Sequence, residues 1–415
     1  MECKMKKVWL INQYAMPPEL EPRIRTIKLA HYLKQKGYDV TVFASSFLHN
    51  TNINLIEDNT PYIEKYYDDL RFVHIRMNQY KKNGIKRILS LIEFPLKLLR
   101  YYKKFEKPDI IVQLATVPWG NIISRIAKKT KAKYIVEVVD LWPESFVAFG
   151  LVKKNNPFLK LAYRAERRLY EKADKLVFSM EGGRQYIKDK KWDTKNGGSI
   201  DIEKVHHINN GVDLKDFDLY KDKFKIDDED LADDSTYKIV YIGSIRYANN
   251  VKLLVDAALL LKDQKDIKFF IYGDGGQREE LENYCRENNA TNIIFKQKWV
   301  EPKYVPYILS NSSLNVLNYK FNEIWRYGGS QSKFFQYLAA GKPICSNVDM
   351  GSYCLINRHN LGVSESFENP EEYAAAIMSI RNMSVEDHSS MCARVRSLAS
   401  EFDYEKLTEH LIQIF

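Results

Sequence analysis

The sequence predicts an α/β protein with two parallel sheets, and three observations predict it. Short apolar runs of strand length alternate with helical stretches, and the alternation starts afresh at Tyr237. Buried strands joined by helices make a parallel sheet covered on both faces. At 415 residues the chain is too long for one ordinary core. Glycine turns recur in the second half, in YIGSI, YGDGG and YGGSQS, where strand ends are expected. Two such sheets in one chain are expected to face each other across a cleft, with ligands held where the strand C-termini open into it.

The first half opens with KKVWLINQY, a short apolar strand that breaks into the Pro-rich loop AMPPELEP. A helix is expected from about Arg23 to Lys36, ended by Gly37. Strands follow in YDVTVFASS, FVHIR, DIIVQLA, AKYIVEVVD and KLVFSM. VHHINNGVDLKDF, Val205 to Phe217, reads as the exit of the first domain, which is therefore placed at 1–213. The acidic run IDDEDLADDST reads as a solvated surface loop. The second half carries strands in YKIVYIGSI, IKFFIYG, NIIFKQ, SLNVLNY and KPICSN, giving a second domain at 214–395. The remaining segment, 396–415, holds a last helix from about Tyr404 to Phe415 that is expected to pack back on one of the domains.

Composition narrows the class. The chain is 45% hydrophobic and 28% charged, as in soluble globular proteins. Its net charge of +9 favours phosphates or an anionic membrane face without choosing between them. The five cysteines, Cys3, Cys285, Cys345, Cys354 and Cys392, are scattered with no CxxC pair, so no zinc site or disulfide framework is expected and a reducing cytoplasm fits. The N-terminal apolar run is too short for a signal-peptide core, and no stretch is apolar enough for a bilayer span.

The stretch YGGSQSKFFQYLAAGKPI, Tyr327 to Ile344, carries the first chemical expectation. Gly328 and Gly329 leave the backbone bare before a helix, and Ser330, Gln331 and Ser332 lead into it. Bare N–H groups and the positive end of a helix dipole make an anion site. Lys333 stands in the first turn of that helix. A second glycine, Gly243, ends a strand and is followed by Ser244, Arg246 and Lys252, cations able to offset a phosphate; a tight turn with solvated cations is the alternative. The third turn, with Gly273, Asp274 and Gly275, fits a nucleoside or a plain βα turn. In the first half, Asp140 ends a strand, with Trp142, Pro143 and Glu144 just after it. A carboxylate there fits a base or a hydroxyl-binding group, or a helix cap; a hydrolase-like carboxylate pair has no other support.

Several chemistries lack their signatures. No GxxxxGK[ST], HExxH or GxSxG motif occurs. His206 and His207 are adjacent and would point to opposite sides of a strand. Asp216 and Asp218 read as a surface turn. No DNA- or RNA-binding motif is present.

Read together, NQYAMPPE, DLWPES, INNGVD, YIGSI, IYGDG and KFFQYLAAGKPI resemble the bacterial family-four glycosyltransferases of the O-antigen and capsule branch, nearly end to end. The resemblance implies the GT-B fold, two Rossmann-like domains across a cleft, with a nucleotide-sugar donor in the second and the acceptor in the first. It implies a retaining transfer without a metal or other cofactor, from a donor that is UDP-linked by family habit to a lipid-linked or glycan acceptor. The anion would then be the donor diphosphate, stabilised as it leaves by cations and helix N–H groups. It places Asp140, Arg246, Lys252 and Lys333 in catalysis. Donor contacts fall on Gly243, Ser244, Gly273, Asp274, Gly275, Val300, Gly328, Gly329, Ser330, Gln331, Ser332 and Gln336. Acceptor contacts fall on Pro18, Glu21, Arg23, Arg25, Trp142 and Glu144.

This chain also departs from the family pattern. The two donor-binding glutamates of the family fall on Gly328 and Gln336, so both acids are missing. Its basic pair falls on Ser244 and Asn250, with Arg246 and Lys252 each two residues late. Its Gly-Gly after the first strand is replaced by Glu19-Leu20-Glu21-Pro22. A nucleotide-sugar epimerase or hydrolase of the same fold, and a catalytically degenerate partner of a glycan assembly complex, are the competing readings.

The segment from Tyr80 to Lys107 is both basic and apolar. It holds nine cations against two acids, a net +7, with Ile85, Ile88, Leu89, Ile92, Leu96 and Leu99 at helical spacing. It is expected to kink or split at Pro95. Such a helix lies on an anionic leaflet or covers the first sheet with its lysines outside. The protein is accordingly expected in the cytoplasm, with the inner membrane face as a possible docking surface.

Overall fold

The computed structural model describes residues 5–415 apart from 21–23, 50, 81–84, 116–120 and 151. The chain forms two compact units, 1–209 together with 404–415, and 210–403.

The first unit is built on an eight-stranded sheet. Its strands are β1 (Lys7–Ile11), β2 (Asp39–Ser45), β3 (Tyr62–Tyr67), β4 (Leu70–Ile75), β5 (Ile110–Leu114), β6 (Lys133–Val138), β7 (Lys175–Phe178) and β8 (Val205–His207). They lie in the order β3-β4-β2-β1-β5-β6-β7-β8. All neighbours are parallel except β3, which pairs antiparallel with β4 through a hairpin. That edge strand has exposed residues at its centre, so it lacks the continuous apolar run that marks the buried strands, and the sequence reading passed over it. The strand β8 was likewise read as part of the domain exit; it is three residues long and takes its place from pairing with β7.

The helices of this unit are α1 (Arg25–Gln35), α2 (Ile85–Tyr101), α3 (Ile123–Thr130), α4 (Glu144–Ala148), α5 (Pro157–Lys172) and α6 (Gly183–Asp189). Helix α1 ends where Gly37 takes φ +86°, a conformation that favours glycine. Helix α2 continues through Pro95 as one element, so the expected split does not occur. Beneath α1 the core gathers Val8, Leu10, Leu29 and Leu33.

The second unit carries β9 (Tyr237–Ile242), β10 (Ile267–Tyr272), β11 (Ile293–Phe295), β12 (Leu314–Leu317), β13 (Ile344–Ser346) and β14 (Gly362–Ser364). These six parallel strands run in the order β11-β10-β9-β12-β13-β14. Alternation along β9 and β10 divides the core. Val240 and Phe270 face one side, with Phe335 and Leu338, while Ile239, Tyr241, Phe269 and Ile271 face the other, with Leu254 and Ile377. Its helices are α7 (Leu214–Lys223), α8 (Glu229–Ala232), α9 (Val251–Leu260), α10 (Arg278–Glu287), α11 (Val305–Ser310), α12 (Ser332–Ala340), α13 (Leu355–Arg358), α14 (Pro370–Arg381) and α15 (Val385–Ala399). The acidic run expected as a solvated loop is mostly exposed and irregular, but its middle forms the short helix α8. Asp228 caps it by accepting from the Leu231 N–H, Leu231 is buried, and Lys296 Nζ bonds Asp228 at 2.7 Å and Asp230 at 2.6 Å. Asp216 and Asp218 lie on α7, not in a loop, and Asp218 pairs with Arg396.

The unit boundaries differ from those read in the sequence. The first crossing lies between Asn209 and Asn210 instead of after residue 213. Asn210 is bound to Ser330, and the Val212 N–H donates to the Phe402 carbonyl at 3.0 Å. The second crossing lies between Asp403 and Tyr404, because α15 buries Met391, Val395 and Ala399 in the core under α12. The last helix, α16 (Tyr404–Ile414), packs on α1 and adds Leu407, Leu411 and Ile414 to the first core.

Candidate active site

In the second unit three loops follow the C-terminal ends of β9, β10 and β12. The turns after β9 and β10 are zipped together by backbone. The Gly243 N–H donates to the Tyr272 carbonyl at 3.0 Å, the Ile245 N–H to the Asp274 carbonyl at 2.8 Å, and the Gln277 N–H to the Ile245 carbonyl at 3.1 Å. A Cβ on Gly273 would strike the Gly243 carbonyl, and one on Gly275 the Ile245 carbonyl. Both glycines also hold positive φ. Their glycine identity is therefore explained by loop-on-loop approach; the sequence leaves a nucleoside contact and a plain βα turn both open at this point. Arg278 fastens the same turn. Its guanidinium donates to the Gly273 carbonyl, to the Lys296 carbonyl at 2.7 Å and to Glu282 at 2.6 Å. It is a buried arginine that the sequence reading missed, and its place at the start of a helix after GDGG was the available signal.

The third loop leads into α12. Gly328 is buried with φ +80°, and its N–H donates to the Trp325 carbonyl at 2.8 Å. No side chain caps α12, and among the described residues the N–H groups from Gly329 to Lys333 have no acceptor. Lys333 reaches back from the first turn to Gly243, where a Cβ would collide with its Nζ. The ammonium lies 4.8 Å from the Tyr241 ring centroid and 5.8 Å from that of Tyr319. Among the described residues it has no carboxylate partner, and burial pushes its pKa down to about 8. Gln336, one turn further along the helix, is partly buried and its amide has no partner among the described residues. A cation without a counter-ion, beside an uncapped helix start, is an arrangement that an anion completes.

The remaining donor-side residues divide. Ser330 accepts the Asn210 N–H at 2.7 Å, and its carbonyl accepts the Asn210 amide at 2.5 Å, so it anchors the INNGVD segment. Gln331 packs its amide against Gly329. Asp274 accepts the Gly275 N–H at 2.9 Å. Ser244 and Arg246 are exposed, and Arg246 has no ion-pair partner among the described residues. Lys252 is spent: its Nζ bonds Asp256 at 2.5 Å and sits 3.8 Å from the Tyr284 ring centroid. Val300 packs against the hydrophobic core, and Ser332 is exposed at the helix start.

In the first unit Asp140 follows β6. It is exposed, so the upward push of desolvation on its carboxyl, opposed by the Trp142 side-chain hydrogen bond, is tempered by solvent. Trp142 meets Phe146 edge-on at 4.1 Å between centroids. Glu144, which opens α4, accepts from the Tyr163 hydroxyl at 2.6 Å and pairs with Lys190. Nearby, buried Glu166 accepts from the hydroxyls of Tyr170 at 2.8 Å and Tyr186 at 3.0 Å. Desolvation raises its pKa to about 8 against the pull of those hydrogen bonds.

Arg25, expected to bind acceptor, does not face solvent. Its Nε and Nη2 donate to Glu137 at 2.8 and 2.6 Å, Nη2 also reaches the Ile208 carbonyl at 3.2 Å, and Nη1 donates to the Asn209 carbonyl. Buried charge has to be paired in this way, so Arg25 is a structural clamp between α1, β6 and the end of β8. Pro18 opens a short 3₁₀ turn, Pro18–Leu20. Glu21 and Arg23 lie outside the described residues. Among the described residues no group of three or more His, Cys, Asp or Glu side chains is placed to hold a metal ion, and no helix is long and apolar enough to cross a membrane.

Residues 24–216 match the family described as Glycosyltransferase Family 4, and residues 222–396 the family described as Glycosyl transferases group 1. With one glycosyltransferase domain matched in each half, the chain is a glycosyltransferase. No curated protein sequence matches it. Solved structures resemble it over nearly its whole length. A structure from E. coli described as trehalose-6-phosphate bound with UDP-2-fluoro glucose has a TM-score of 0.74 at 13% identity, covering 98% of each chain. Sucrose-phosphate synthase from Thermosynechococcus elongatus has a TM-score of 0.70 at 15% identity, covering 99% of this chain and 98% of its own. Anabaena HepE in complex with UDP and glucose has a TM-score of 0.64 at 11% identity, covering 98% of each. At these identities the likeness establishes the GT-B fold. Within this glycosyltransferase the α12 loop lies in the group 1 region and Asp140 in the family-four region.

Proposed function

We propose that this glycosyltransferase moves a sugar from a UDP-sugar to a lipid-linked or glycan acceptor, as a step in surface-polysaccharide synthesis. The observation that carries the donor side is Lys333, an ammonium without a carboxylate partner among the described residues, beside the uncapped start of α12. As the sugar–phosphate bond breaks, negative charge grows on the leaving diphosphate. Lys333 and the free N–H groups from Gly329 to Lys333 are placed to stabilise it, which supports transfer without a metal. Gln336 is assigned to a ribose hydroxyl, and exposed Arg246 to the outer phosphate. Asp140 orients the acceptor hydroxyl. With retention of configuration, the departing phosphate oxygen takes the hydroxyl proton, so Asp140 need not be its final holder. The basic segment 80–107 is assigned to an anionic membrane face on the cytoplasmic side.

A second reading, a partner protein that keeps the fold without transfer, is favoured by Gly328 and Gln336 at the positions of the two family acids. An acceptor-independent epimerase or hydrolase is the other competitor. Calorimetric titration with UDP, GDP and ADP, with and without EDTA, tests the donor site. Saturable UDP binding that EDTA leaves unchanged, and that Lys333→Ala weakens roughly thirtyfold, is the expected result. Absence of binding by all three nucleotides overturns the donor assignment. Sugar release from the donor without any acceptor would move the reading to the hydrolase.

A further inference from the structure

The first unit exposes a second apolar, basic surface that the sequence reading did not single out. It follows directly on the Asp140–Glu144 turn. Residues 149–165 contain Lys153, Lys154, Lys160 and Arg164 and no acid at all. All four cations are exposed. Lys153, Lys160 and Arg164 have no carboxylate partner among the described residues. Three large apolar side chains stand among them, Phe149 at 47%, Phe158 at 75% and Leu161 at 53% exposure.

Each feature is ordinary alone, but their combination is not what a water-facing helix needs. Phe158 and Leu161 are three residues apart on α5 and therefore share one side of it. The opposite requirement of α5, its attachment to the unit, is met by other residues, with Leu159, Leu169 and Tyr170 buried. Phe158 thus contributes little to folding and costs solvation. Aromatic and leucine side chains framed by unpaired cations suit the interface of a bilayer that carries anionic headgroups.

Topology gives this surface a companion. The connections from β4 to β5 and from β6 to β7 advance in the same direction along the sheet. Right-handed crossovers therefore put α2 and α5 on one face of that sheet. Helix α2 exposes Leu89 at 56% and Leu96 at 48%, seven residues apart and so on one side of that helix. Arg100, four residues beyond Leu96, is exposed with them.

We infer that α5 and the turn before it, with Phe149, Phe158 and Leu161 and the cations Lys153, Lys160 and Arg164, dock on an anionic lipid surface, with Leu89 and Leu96 of α2 as a second point of contact. A lipid-linked acceptor would then be presented next to the Asp140 turn. That consequence rests on the acceptor reading above, while the docking itself does not.

The test is flotation of the full chain with vesicles of phosphatidylcholine, with and without phosphatidylglycerol. Binding is expected to require phosphatidylglycerol and to weaken as salt is raised. The double variant Phe158→Ser, Leu161→Ser is expected to lower partitioning about tenfold. Lys160→Glu with Arg164→Glu is expected to do the same. Melting temperature and UDP binding should match the parent in both variants, so that a failure of the donor site is read separately. Binding that is equal on both vesicle types, or unchanged in both variants, overturns the inference. So does a concentration-dependent dimer, seen by sedimentation equilibrium, that the serine variant dissolves while vesicles bind neither protein; the surface would then be covered by a second copy.

Discussion

The α12 loop of the second unit and the α1–β6 clamp of the first both hold a buried or half-buried cation, and they hold it in opposite ways. Arg25 has used its donors on Glu137 and two carbonyls. Lys333 has two tyrosine faces and no acid among the described residues. The first arrangement is complete and the second waits for negative charge. A basic residue near a strand end thus says little about function until its partners are counted. The sequence suggests Arg25 for the acceptor and Lys333 for the donor diphosphate, and only their partners show that Arg25 is occupied within the fold.

The comparison can be broken most forcefully at the clamp. Arg25→Ala leaves Glu137 buried without its partner and should cost about 3–5 kcal/mol of stability, read by urea unfolding. Nucleotide affinity of the folded fraction should be unchanged. A cost below about 1 kcal/mol would mean that Arg25 is not the clamp described. The next effect belongs to Lys333. Its replacement by alanine should weaken UDP binding by about 2 kcal/mol, roughly thirtyfold, and leave stability nearly intact. Equal affinities for variant and parent would remove Lys333 from the donor site.

The titration of Lys333 sharpens the contrast without a mutation. Its pKa in the folded protein is lowered to about 8 from the ordinary 10.5. The unfolded chain therefore binds more protons between those values, and the stability of the nucleotide-free protein should rise with pH across that window. Affinity for UDP should move the other way. The cation is present below pH 8 and is lost above it, so binding should fall by up to about tenfold per pH unit beyond that point. A flat affinity profile from pH 7 to 9.5 in wild type would contradict the assignment. The smallest effect is expected at Lys252. Its pair with Asp256 is part-exposed, so Lys252→Ala should change stability by no more than about 0.5 kcal/mol and UDP affinity less than twofold. A loss matching that of Lys333→Ala would show that the ion pair opens for the ligand.

The legible part of this molecule was the part written locally. Strand runs such as KIVYI and FFIY, and the passage from YGGSQS into KFFQYLAA, carry their structure in consecutive residues, and the expected elements stand within a few residues of the observed ones. The illegible part depends on distance. Arg25 and Glu137 are 112 positions apart, and no local pattern announces their pairing. Asn210 and Ser330 are 120 apart, which is why the boundary was placed four residues late. The short edge strand β3 lacks an apolar run because half of it faces water. Gly273 and Gly275 mark a turn in the sequence, but that the neighbouring loop approaches them follows only from the fold.

The peptide group between Asn209 and Asn210 joins several of these features. Its oxygen is held by the Arg25 guanidinium, and its N–H is held by the Ser330 hydroxyl. A peptide group is a rigid plate, so these two atoms cannot turn independently. The Arg25 guanidinium and the Ser330 hydroxyl therefore set the orientation of one plate between them, and losing either hydrogen bond would free oxygen and N–H together.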